Sequence, residues 1–377
     1  MSRLPFIHAR FPDPAETERA LALRLQRHLL KIRAASCEAD PPDQAKPPPG
    51  ESDPADPASL DDLDEPTNPH VRLTNEDVRR LERRAARLFK ARMAATGLSH
   101  LKKDERERLE VLKNGVRLIS IPSEHRADEL AAELHADMPW MAPATELVWH
   151  AMRSSVREGW PGLRLPPMLL DGPPGIGKSH WARRLGALLA APTMVIEATG
   201  ENASFSVVGS QRGWSGAQPG RLLETVLQSQ VGNPVIVVDE VEKAGTAVSN
   251  KGQAFGLAEA LLPLLEPLTA RGWSCPCYQV KFDMSWVGWV LTSNDFRRLP
   301  EPLLSRCPPI RLRSLTVAEL VAFIRHEGAK RALSDAAIEA AAEAMADPAL
   351  HHHRPSLRVA ARMLQRAANL ERAPVLH

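Results

Sequence analysis

The chain has 377 residues, 48 of them Lys or Arg and 46 Asp or Glu, and a formal net charge of +2 carries neither the basic footprint of a nucleic-acid binder nor that of a membrane-surface protein. No apolar run approaches the roughly eighteen residues of a membrane span, and the start MSRLPFIHARFPDPAE lacks a signal-peptide core, so a cytoplasmic protein without membrane contact is expected. Four cysteines are too few for a disulfide scaffold and suit a reducing compartment.

In chain order, residues 1–39 read as a helical arm, with Leu21, Leu23, Leu25, Leu29 and Leu30 as apolar positions of a helix from Pro14 to Ala39. Residues 40–68 are rich in proline and acid, with little to bury, and are expected to be a disordered linker. Residues 69–137 read as helical. Thr74 is an N-cap, and Val78, Leu81, Ala85 and Leu88 form an apolar stripe opposite an arginine-rich face, Arg79 to Arg92. That face is a solvated surface or, in an alternative reading, a DNA contact.

From Met138 the segments PMLLD, PTMVIEA, PVIVVDE, WVGWVLTSN and PIRLR alternate with helical stretches. Such alternation predicts an α/β domain over 138–314, a parallel sheet with helices on both faces. Residues 315–377 read as a small all-helical lid, with Thr316 and Glu319 as a capping box and Ser334 and Ser356 as caps of two further helices. Cys275 and Cys277 have no second pair at zinc spacing, and His351, His352 and His353 point in different directions from an inter-helix stretch, so neither group is read as a metal site.

The chemistry concentrates in DGPPGIGKSHWARRLG. Gly172, Gly177, Lys178 and Ser179 match GxxxxGK[ST], after an apolar strand and before a helical pattern. The stretch Gly172, Pro173, Pro174, Gly175, Ile176, Gly177, Lys178, Ser179 and His180 is therefore expected to cradle the phosphates of ATP. Lys178 would reach the β- and γ-phosphates and Ser179 would ligate Mg²⁺. About sixty residues on, the apolar strand PVIVVDE ends in Asp239, a second Mg²⁺ ligand, and Glu240, which would polarise the attacking water. The next apolar strand ends in Asn294, whose amide would reach the γ-phosphate or the water. Arg306, in LPEPLLSRCPPIRL, is read as an arginine supplied to a neighbouring subunit's γ-phosphate. Arg358 stands in the first turn of the last long helix, where the helix dipole disfavours a cation and a bound phosphate would compensate it.

These residues resemble the AAA+ ATPases and, within them, the ATPase part of the Lon family. The likeness runs roughly from Met138 to Ala373 and rests on MPWMAPA, GSQRGWSGAQPGRLLETVL, VVDEVEK, YQVKFDMSWVGWVLTSN and LPEPLLSRCPPIRL, in order and at nearly the family's spacing. It implies a P-loop AAA+ fold and a ring of subunits, a hexamer, that binds ATP between neighbours and pulls a polypeptide through a pore. Trp214, in GWSG, matches the family's aromatic pore-loop residue, and GTAVSNKGQAF after Lys243 matches a second pore loop. No serine follows Ser356 and no lysine follows Lys330, so the Ser-Lys peptidase of Lon has no counterpart here, and an ATPase that is not a peptidase on its own is expected. The spacing from Asn294 to Arg306 is one residue longer than the family's. Two other readings stand beside the protein-remodelling motor: a DNA-associated AAA+ ATPase, and a slow nucleotide switch, against which the presence of both Glu240 and Asn294 argues.

Overall fold

The computed structural model describes residues 3–13, 15–38, 72–200, 203–214, 216–244, 246–248, 254–347 and 356–372. The expected linker over 40–68 and the histidines His351 to His353 lie outside the described residues. Two compact units emerge: Ala9–His100, and Met1–His8 together with Leu101–His377.

In the smaller unit the helix Glu18–Glu38 packs on the helix Asn75–Ala95. Leu21, Ala22 and Ala85 form the buried contact, with Leu25 and Phe89 against it. Thr74 caps the second helix through a reciprocal bond with Asp77, and Arg33 of the first helix reaches the same carboxylate at 2.9 Å. The apolar stripe differs from expectation at one position. Leu88 is exposed, and Phe89, four residues after Ala85, takes its place, because i and i+4 lie on one face whereas i+3 drifts to its edge. The arginines at 79, 80, 83 and 84 are exposed, and Arg80 pairs with Glu76.

The unit boundary falls elsewhere than the composition suggests. The helices Lys103–Glu110 and Glu124–Asp137 belong to the larger unit, tied to it by a short strand Val116–Arg117 that pairs with Arg3–Leu4.

The larger unit is organised by a five-stranded, all-parallel sheet with spatial order Pro309–Arg311, Met168–Asp171, Gly288–Ser293, Val235–Asp239, Thr193–Glu197. The central strands are mostly apolar because helices cover both faces, and Val235 to Val238 and Met168 to Leu170 are at most 1% exposed, with Thr292 and Ser293 as buried polar residues at the end of the middle strand. Register places Ser293 beside Asp171, and Leu291 beside Val238. The ends of three strands, carrying the loop at Gly172, the acids at Asp239 and Glu240, and Asn294, therefore share one edge of the sheet.

Three helices, Val317–Lys330, Asp335–Ala346 and Leu357–Glu371, complete the unit. Leu320, Ile324, Ile338, Ala342 and Leu364 bury their inner faces in a core continuous with that under the sheet. The capping box of Thr316 with Glu319 and the Ser334 cap form as expected. Ser356 does not cap with its side chain. Its helix instead begins against the phosphate loop, where the N–H of Leu357 donates to the carbonyl of Gly175 at 3.0 Å. Among the described residues no helix is long and apolar enough to cross a membrane.

Candidate functional site

The loop after Met168–Asp171 turns through two glycines in the left-handed region, Gly175 at φ 81° and Gly177 at φ 95°, where a side chain would be strained. Gly177 then starts the helix Lys178–Leu188. On its far side the loop is braced by Trp140, whose indole N–H donates to the Ile176 carbonyl at 2.9 Å, which gives the MPW segment a mechanical role.

Lys178 is buried at 7% exposure, and its ammonium donates to the carbonyls of Gly172 at 2.7 Å and Pro173 at 3.0 Å and to Asn294 Oδ1 at 3.0 Å. Burial pushes its pKa down, opposed by the charges of Glu242, Asp171, Asp239 and Glu240. Next to it, the Ser179 hydroxyl donates to Asp239 Oδ1 at 2.6 Å, so the loop helix and the acid strand meet through one oxygen. A hydroxyl and a carboxylate brought together are hard oxygen donors of the kind Mg²⁺ takes.

Glu240 is held at φ 55°, uncommon for a residue with a side chain. Thr292 stabilises that turn: its hydroxyl donates to Asp239 Oδ1 and accepts from the Glu240 N–H at 3.0 Å. The Glu240 carboxylate pairs with Lys243 at 2.8 Å and accepts from Asn294 Nδ2 at 3.3 Å. Asn294 is fastened further by Glu242, whose Oε1 accepts from both its N–H at 3.1 Å and its Nδ2 at 3.0 Å, while Glu242 Oε2 is buried without a hydrogen-bond partner.

A cavity of about 410 Å³ lies over these groups, of a size that admits a nucleotide. Gly175, Gly177, Lys178, Ser179, His180, Asp239, Glu240 and Asn294 line its floor, and Phe323, Glu327, Arg331 and Arg358 of the lid form its roof. Arg358 lines this cavity and makes no ion pair among the described residues. A larger cavity of about 590 Å³, walled mainly by apolar side chains between Leu147 and Trp289, carries none of these groups.

Not every expected residue converges here. Arg306 ends the short helix Glu301–Arg306, bonds the Pro302 carbonyl at 2.9 Å and lies 3.9 Å from Glu266, outside the cavity lining. Its Nε is buried without a hydrogen-bond partner. Trp214 is 37% exposed and makes a T-shaped contact with Phe205, ring centroids 5.4 Å apart, so the indole is partly packed on its own domain. In the expected second pore loop, Thr246–Val248 pairs antiparallel with Ala254–Gly256, and the intervening tip lies outside the described residues. Cys275 and Cys277 are buried free thiols, and burial pushes Cys275 up to about 11.

No sequence motif singles out Thr292 or Glu242. Thr292 stands two residues before Asn294, on the same strand face, and Glu242 two after Glu240. Both carried a positional signal, but their partners lie on other strands.

Residues 168–315 match the family AAA, "ATPase family associated with various cellular activities". The chain is similar to the Lon protease of Mycoplasma pneumoniae, 33% identical over 177 residues, which make up 47% of this chain and 22% of that protein. It is similar also to the Lon protease of Chlamydia trachomatis, 32% identical over 158 residues, 42% of this chain and 19% of that one. The peroxisomal Lon protease homolog 2 of Spinacia oleracea is 33% identical over 165 residues, 44% of this chain and 18% of its own length. The chain thus spans about a fifth of the length of these relatives.

Proposed function

Because the chain carries an AAA ATPase module similar to that of Lon proteases, we propose that it binds and hydrolyses ATP and uses the cycle to remodel or unfold a protein, without cleaving it by itself. The observation that carries the reading is the single cavity lined by Lys178, Ser179, Asp239, Glu240, Asn294 and Arg358. Loop N–H groups and Lys178 bind the phosphates, and Ser179 and Asp239 would hold Mg²⁺, which with ATP neutralises charge on the phosphate oxygens. Glu240 accepts the proton of the attacking water, and Asn294, anchored by Glu242, fixes that water's direction. Arg358 reaches the phosphates from the lid. Arg306, with no place in its own chain's cavity, suits a role at a neighbour's site in a ring, a hexamer on the Lon pattern. Trp214, beside Gly213 and Gly216, would grip the polypeptide.

ATP turnover measured alone, with an unfolded model protein and with DNA, using Glu240→Gln as the blank, tests this. Stimulation by polypeptide is expected. Stimulation by DNA alone would transfer the role to the exposed arginines near Arg79, and turnover equal to the blank would leave a nucleotide switch.

A further inference from the structure

The helix Glu124–Asp137 ends in a carboxylate, the wrong charge for a helix C-terminus. Asp137 is moreover only 11% exposed. Three donors from two other elements converge on it. Arg184, six residues after Lys178 on the loop helix, donates through Nε to Oδ2 at 2.6 Å. Lys330 and His326, one turn apart on the lid helix Val317–Lys330, meet Oδ1, His326 at 3.2 Å. Arg184 also bonds Glu133 at 2.5 Å, one turn before Asp137. Burial works to raise the Asp137 carboxyl, yet the bonds from Lys330, Arg184 and His326 hold it at about 2.

Only Asp137 is well shielded, its partners Arg184, His326 and Lys330 being about a third to nearly a half exposed, so the cluster contributes little net stability and its effect is to select one geometry. Here the geometry selected is that of the lid. The helix that supplies Lys330 and His326 also supplies Phe323, Glu327 and Arg331 to the cavity roof. Phe323 in turn meets Trp140, the brace of the phosphate loop, edge-on at 6.2 Å. Asp137 thus joins the lid helix to the helix that begins at Lys178.

We propose that Asp137 is a positioning residue: by clasping Lys330 and His326 to Arg184 it fixes the lid over the bound nucleotide and sets how fast nucleotide leaves. This rests on the ATP-binding reading above. With the clasp lost, the helix carrying Phe323, Glu327 and Arg331 is held over the cavity by its apolar packing alone, while the groups on the sheet edge stay where they are.

The test is stopped-flow release of mant-ADP, with KM and kcat for ATP, in the wild type, Asp137→Asn, Lys330→Met and the double variant. Each single change is expected to speed release and raise KM by about tenfold, the loss of a hydrogen bond to a charged group, with kcat much less affected. The double variant should add little to either single, because both act through one contact. Release rates matching the wild type in both single variants would overturn the proposal, as would a fall in kcat with release unchanged. Should Asp137→Asn not fold, Lys330→Met, which leaves the Arg184 bond intact, carries the test. Failure of the wild type to bind mant-ADP would overturn the ATP reading itself, and this one with it.

Discussion

Replacing Thr292 by valine keeps the shape of a fully buried side chain and removes one hydroxyl. Two partners are affected unequally. Asp239 keeps the bond from Ser179 at 2.6 Å, whereas the Glu240 N–H loses its acceptor in a half-buried turn. An orphaned buried N–H costs about 1–3 kcal/mol. At about 2–4 °C per kcal/mol for a unit of this size, a central value of about 2 kcal/mol lowers Tm by about 4–8 °C. The same bond holds Glu240 in its left-handed conformation, so on the proposed mechanism its loss would also turn the carboxylate away from the attacking water. A fall in kcat of about tenfold is expected, with KM for ATP little changed, since a displaced reacting group is felt in the chemical step. Calorimetry and steady-state ATPase assays on Thr292→Val and Thr292→Ser check both halves. The serine variant keeps the hydroxyl and should retain most of the rate. Equal kcat in wild type and valine variant, or equal loss in serine and valine, would refute the role given to the hydroxyl.

Arg306→Ala should bind nucleotide normally but hydrolyse slowly, and mixing it with Lys178→Ala subunits should recover part of the activity; no recovery would return Arg306 to a role within its own chain. Acid should weaken the lid. Arg313 and Thr316 hold Glu319 at about 2 by hydrogen bonds, and the donors on Asp137 hold that carboxyl at about 2 against burial. Both folded values lie below the ordinary 4.5 and 3.8, so their stabilisation is complete above that range and is lost as pH falls toward 2. Melting curves should therefore drop steeply over this window, less so in Lys330→Met, which removes one of the cations facing Asp137 beside Arg184 and His326. A Tm independent of pH there would contradict the assignment.

That the glycine-rich loop, the acid pair and Asn294 meet at one cavity was legible in the sequence because each follows an apolar strand, and parallel strands deliver such ends to one edge of the sheet. The sheet was legible too, since strands buried on both faces are predominantly apolar. What escaped depends on strand order. Nothing near Thr292 in the chain says that it lies beside Asp239, and Asp137 looks like an ordinary helix end until Lys330, nearly two hundred residues later, is laid against it. Leu88 and Phe89 illustrate a smaller ambiguity: adjacent apolar residues on a helix compete for one stripe, and only the partner helix decides. Ser356 shows a local rule overridden by tertiary contact, since the backbone of the phosphate loop meets that helix start directly.

That meeting constrains more than the helix start. A Cβ at Gly177 would sit 2.7 Å from Leu357 Cδ1, and one at Gly175 would sit 2.8 Å from the Ser356 Cβ. The two glycines are thus required twice over, once by their backbone angles and once by the neighbour pressed against them. Loop and lid are consequently not interchangeable parts. A chimera that grafted a foreign lid onto this core would inherit a seam cut to Ser356 and Leu357, and bulkier residues at those two positions would push on the phosphate loop before any nucleotide arrived.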